Sequence, residues 1–206
     1  MRVANLFFML ISSLFAKDAI AIKKISTEKT TAVHASHHCG NNEQARKLAQ
    51  LIIHDPAQTR ITIRCNQLLT NIAISKAKKM ADFGLVMHNL GGSPNSRLSN
   101  ANYQLPNYYG KDFNSNQVEA IAGGYANADK VWDGFKRSEG HRTHLLGEHE
   151  FYLEQDELGI AFIKEKKSPH VEYWVVYLAK GKQKDQTVVK RFKEIPNKSL
   201  FILQEN

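Results

Sequence analysis

Cysteine is nearly missing from this chain, with only Cys39 and Cys65 in 206 residues. Two thiols without a CxxC motif exclude a four-cysteine zinc ribbon and a thioredoxin-type redox centre. The nucleophile elbow GxSxG is absent, and so is the HExxH pair of a zincin. The stretch HRTH (141–144) lacks both the acid and the spacing, and His149-Glu150 has no second histidine four residues on. Five prolines and no internal repeat argue against proline-rich spacers and solenoids. Beyond the N-terminus no apolar run approaches the roughly 20 residues that span a bilayer. What remains, 42% hydrophobic and 23% charged residues, is the composition of one globular domain.

The N-terminus is the one strongly apolar stretch. Arg2 is followed by the run from Leu6 to Ala16, closed by Lys17 and Asp18, with Ala19-Ile20-Ala21 as a small-x-small cleavage signal. This predicts a secretory signal peptide over 1–21 and a secreted or periplasmic protein. Residues 22–40 then read as a polar linker, in which His34, His37 and His38 are too loosely held to make a specific metal site. In an oxidising compartment Cys39 and Cys65 are a candidate disulfide.

Negative charge is in short supply. The formal net charge is +8, and about half of the excess lies in Lys180–Asn206, which has seven lysines and arginines against three acids. Only Phe192 and Phe201 punctuate that basic tail (181–206), too few aromatics for a nucleic-acid stacking platform. No nucleic-acid partner is expected; an anionic envelope surface is the better match.

Between the ends the pattern is helices first, strands last. Asn41–His54 has apolar residues at 45, 48, 51 and 52, with Asn41 or Asn42 as cap and Pro56 as stop. Arg60–Cys65 reads as a short extended piece. Cys65–Phe83 predicts a helix with Leu68, Ile72, Ala73, Ala77, Met80 and Ala81 inward, its lysines mostly turned away, and Gly84 as C-cap. Leu90–Asn116 predicts a long loop. A short helix is expected over Gln117–Tyr125 and another over Ala128–Arg137, after which Ser138 caps a turn carrying His141. Leu158–Lys164 and His170–Ala179 predict strands joined as a hairpin. The class is α+β.

Three motifs occur in order: His88 after the second helix, Glu119-Ala120-Ile121-Ala122-Gly123-Gly124, and a W-x5-S-x-GHR pattern at Trp132, Ser138, Gly140, His141 and Arg142. Over 41–180 the chain resembles the CAP superfamily of cysteine-rich secretory, antigen 5 and pathogenesis-related 1 proteins, in its bacterial SCP-domain branch. The resemblance implies an α-β-α sandwich with an antiparallel central sheet. It implies a cavity gathering His88, His141 and Glu119, with Arg97 and Tyr103 bracing the long loop at the cleft. Two imidazoles and a carboxylate suit a divalent ion such as zinc, with His88 and His141 as its ligands. Without metal, Glu119 would fix the tautomer of an imidazole.

The pattern departs from the family at three places. The family's second acid has no counterpart, since Asp112 is the only acid from Asn89 to Val118. Ala120 replaces an asparagine, and Val176 stands where glutamine is common. The resemblance implies a binding module for a lipid, glycan or protein, and a monomer is expected. The alternative is a hydrolase in which His88, Glu119 and His141 are catalytic. His144, three residues beyond His141, is expected on the surface.

Overall fold

The computed structural model describes residues 39–181. The expected signal peptide, linker residues 22–38 and all of the basic tail but Gly181 lie outside them.

The chain opens with α1 (Glu43–Ile53), capped by the Asn42 side chain, which accepts from the Ala45 amide. The two-residue strand β1 (Arg64–Cys65) follows, then α2 (Gln67–Phe83), which runs from the Asn66 cap to the left-handed Gly84 at φ 66°. Helix α3 (Pro94–Asn100) lies inside the stretch expected to be a loop; Ser93 caps it and Pro94 starts it. Next come β2 (Glu119–Gly123), α4 (Ala128–Arg137), α5 (Glu139–Leu146), the single turn α6 (Glu150–Leu153), β3 (Glu157–Lys164) and β4 (Glu172–Ala179).

The four strands form one sheet in the order β1-β3-β4-β2. Pairs β3–β4 and β2–β4 are antiparallel, but β1 runs parallel to β3, so the sheet is mixed rather than purely antiparallel. The segment expected as a helix over Gln117–Tyr125 is strand β2. Its five-residue core is too short for periodicity to separate the two states, and pairing with β4 decides for the strand.

Side chains of the sheet alternate between two cores. Leu158, Ile160, Phe162, Trp174, Val176 and Leu178 pack with α1, α4 and α5. Ala161, Tyr173, Val175, Tyr177 and Ala179 pack with α2 and with Leu98 of α3. A sheet covered on both faces explains why β4 is buried at all eight positions and reads as one apolar run. Helix α2 comes so close that a Cβ on Gly159 would lie 2.3 Å from the Thr70 amide nitrogen, so glycine is required there.

Cys39 and Cys65 are bonded, with Cα atoms 4.5 Å apart. Cys39 is fully buried, its carbonyl accepts from the Ile160 amide, and Gly40 bridges to Ile160. The last two residues of the stretch read as linker thus belong to the fold. The disulfide ties this N-terminal segment to β1. Reduction is expected to cost about 3 kcal/mol by the chain-entropy relation, read as the shift in urea midpoint with and without reductant.

Candidate functional site

Glu119 is the centre of the site. It is the first residue of the edge strand β2, and the sheet register sets it opposite Tyr177 of β4. Its side chain is fully buried, so its charge must be met by the protein. Oε2 accepts from the Arg97 guanidinium at 2.8 Å and from the Tyr177 hydroxyl. Oε1 lies 2.9 Å from Nδ1 of His88. A carboxylate can only accept, so this contact places a ring proton on Nδ1. The His88 side chain is 38% exposed while Glu119 is 0%. The pair is therefore an oriented imidazole at the surface backed by a buried anion.

Two cations hold the backbone that carries His88. Arg97 of α3 also donates from Nη2 to the carbonyls of His88, Leu90 and Gly92. Lys76, one of the helix α2 lysines expected to turn outward, is buried instead. Its ammonium donates to the carbonyls of Met87 and His88, with Leu90 at 3.5 Å. Burial lowers its pKa to about 8, against the pull of Glu119, which favours the charged form. Asn116 completes the support. Its Oδ1 accepts from the Glu119 amide at 2.9 Å, and its Nδ2 donates to the Glu119 carbonyl and lies 3.1 Å from the His88 ring.

His141 reaches the site from the opposite helical layer. It sits in α5, its ring edge-on to Phe135 with centroids 4.9 Å apart. Burial lowers its pKa, and the neighbouring His88 lowers it further. Both effects favour the neutral ring. Helix α5 is a two-turn helix rather than the single turn expected, and Ser138 starts it without a side-chain capping bond.

Arg60 fixes the other end of α5. This buried guanidinium donates to the carbonyls of His144, Leu145 and Tyr152. Cations are favoured at a helix C-terminus, where carbonyls are left over. His144, expected on the surface, is buried: its Nε2 meets the Leu178 carbonyl at 3.1 Å and its ring lies 4.9 Å from that of Tyr152. A two-turn helix lying on the sheet must bury one side, and His144 falls on it.

The structure brings His88, Glu119 and Arg97 into direct contact, and His141 lies close enough to His88 to feel its charge. It does not bring Tyr103. That ring is buried in the α2-side core, and its hydroxyl donates to Glu157 at 2.7 Å. The residues missed from sequence are Lys76, Asn116 and Tyr177. Lys76 had a signal, since it stands four residues from both Ile72 and Met80 on the apolar face. Asn116 had none.

Both oxygens of Glu119 are committed to Arg97, Tyr177 and His88, leaving two imidazoles. Protein zinc sites present three or four ligands, and no group of three His, Cys, Asp or Glu side chains suited to a metal occurs among the described residues. The described side chains therefore do not make up a complete zinc site.

This layered arrangement has solved counterparts. An outer surface protein from Borrelia burgdorferi superimposes with a TM-score of 0.50 at 19% identity, over 66% of this chain and 90% of that one. An extracellular protein containing an SCP domain, from Bacillus anthracis, does so with a TM-score of 0.51 at 18% identity. That match covers 66% of this chain and 39% of the Bacillus chain. The fold is that of the SCP domain. No protein-family model matches the chain, and no curated protein does. Within the SCP fold of this chain, Glu119 at the β2 edge holds His88, while His141 is carried by α5 in the other helical layer.

Proposed function

We propose that this chain is an exported SCP-fold binding module whose cleft presents His88 and His141 to a lipid, glycan or protein ligand. The observation that carries the reading is the commitment of Glu119. Its buried carboxylate is held by Arg97, Tyr177 and His88, so it acts as a strut that orients an imidazole. Export is supported by the N-terminal apolar segment, by the Cys39–Cys65 bond, and by the outer-surface and extracellular descriptions of the two similar proteins. Among the described residues no helix is long and apolar enough to cross a membrane.

A second reading, hydrolysis, has one observation in its favour. The Glu119–His88 contact orients a partly exposed imidazole, as proton transfer to or from water requires.

Calorimetry with zinc, on the wild type and on the His88→Ala/His141→Ala double variant, separates the readings together with a casein-cleavage assay. The binding-module reading expects no tight stoichiometric zinc uptake and no turnover. It also expects a ligand that co-purifies with the wild type and is lost from the double variant at unchanged melting temperature. Zinc uptake or cleavage that depends on both histidines would replace this reading with the hydrolytic one.

A further inference from the structure

Three large apolar side chains within five residues of sequence stand exposed to water. Phe83 ends α2, and Leu85 and Met87 follow at alternate positions of the segment leading to His88; they are 64%, 43% and 49% exposed. The alternation is real: Val86 lies against Gly123 and His88 against Glu119, so Leu85 and Met87 take the outward side. Single exposed apolar residues are ordinary, but a contiguous group marks a contact surface.

The rim of this patch is basic. The β3–β4 turn abuts it, since the Ser168 hydroxyl donates to the Ala81 carbonyl at 2.7 Å. The Pro169 ring lies so close that a Cβ on Gly84 would come within 2.8 Å of it. That contact sets the turn carrying the exposed Lys166 and Lys167 against the Ala81–Gly84 end of α2. Lys78 and Lys79 stand exposed on the last turns of α2, with Lys79 one turn before Phe83. Asp82 and Glu165 are the acids of the rim, two against four lysines. Among the described residues none of these four ammonium groups makes an ion pair.

We propose that this face docks the protein onto an anionic lipid bilayer. Phe83, Leu85 and Met87 enter the boundary between headgroups and acyl chains, and Lys78, Lys79, Lys166 and Lys167 meet lipid phosphates. Apolar side chains inside a ring of lysines fit that boundary, which is apolar below and negatively charged above. A second copy of the chain would bring the same excess of lysines against this one. The proposal goes beyond the cleft reading and does not use the histidine pair.

The test is co-flotation of residues 22–206 with phosphatidylcholine vesicles, with and without phosphatidylglycerol. The wild type is expected to partition at least about tenfold more strongly onto the anionic vesicles, and to be released by salt. Leu85→Ser/Met87→Ser and Lys166→Glu/Lys167→Glu are each expected to lower partitioning about tenfold, the equivalent of 1.4 kcal/mol. All four positions are exposed, so the melting temperature checks that the fold is kept. His88→Ala/His141→Ala is expected to float as wild type does. Unchanged flotation of both patch variants overturns the proposal and leaves the basic tail as the anchor. Loss of flotation in the histidine variant overturns it in favour of lipid held in the cleft. A dimer seen by light scattering and abolished by Leu85→Ser/Met87→Ser overturns it in favour of a second copy.

Discussion

Arg97→Leu is expected to destabilise the fold by about 3–5 kcal/mol, the cost of stripping a buried ion of its partner. The change removes the guanidinium from Oε2 of a carboxylate whose side chain is fully buried, and it also frees the carbonyls of His88, Leu90 and Gly92. Urea unfolding monitored by tryptophan fluorescence measures the loss. Arg97→Lys retains charge but not the planar fork that serves Glu119, Tyr177 and three carbonyls together, so it is expected to recover only part. Arg97→Leu/Glu119→Gln is expected to be more stable than Arg97→Leu alone, because it removes the stranded negative charge. A double variant no better than the single would show that the lost carbonyl bonds, and not the buried charge, dominate.

Acid is expected to weaken the fold through His144. Burial lowers its pKa to about 4 from the ordinary 6.5, and the Arg60 cation adds to the effect against the favourable contact with the Leu178 carbonyl. The folded protein therefore binds this proton less readily than the unfolded chain does. The stability that neutral His144 contributes is fully present above pH 6.5, falls as pH drops below that value, and is gone below pH 4. The amplitude is about 3 kcal/mol, since one pKa unit is worth about 1.4 kcal/mol. Unfolding free energy measured from pH 7.5 to 4 gives this slope. His144→Gln removes the titration and is expected to flatten it by most of that amount. A slope unchanged in the variant would assign acid sensitivity to other groups.

Helix α5 links this effect to the candidate site. His141 and His144 lie one turn apart, one at the site and the other in the core, with Arg60 fixing the helix end between α6 and the 58–60 segment. Loosening His144 at low pH would therefore also loosen the position of His141.

Helices α1, α2 and α4 and strands β3 and β4 were readable in the sequence. Their apolar spacing, the Asn42 cap and the Gly84 stop are local signals that the structure keeps, except that Leu68, expected inward, is exposed and Leu69 is buried in its place. His88, Glu119 and His141 were readable only by resemblance, because no local rule joins residues 31 and 53 positions apart. Strand β2 was misread because pairing with β4, not its own periodicity, makes it a strand. Lys76 and His144 were misjudged for a common reason. Polar residue type argued for solvent, while carbonyls supplied by distant parts of the chain made burial tolerable.

By itself the sequence determined where α1, α2 and α4 start and stop, most of their apolar faces, and which side chains could carry chemistry. Those properties depend on neighbours three or four residues away. Only the tertiary structure decided that Glu119 is buried against Arg97, Tyr177 and His88, that Lys76 and Arg97 grip the backbone of His88, and that Tyr103 serves the core. Each of these turns on which carbonyl or carboxylate lies within about 3 Å of a charged group. Chain separation does not encode that distance; the closing of two helical layers over one sheet does.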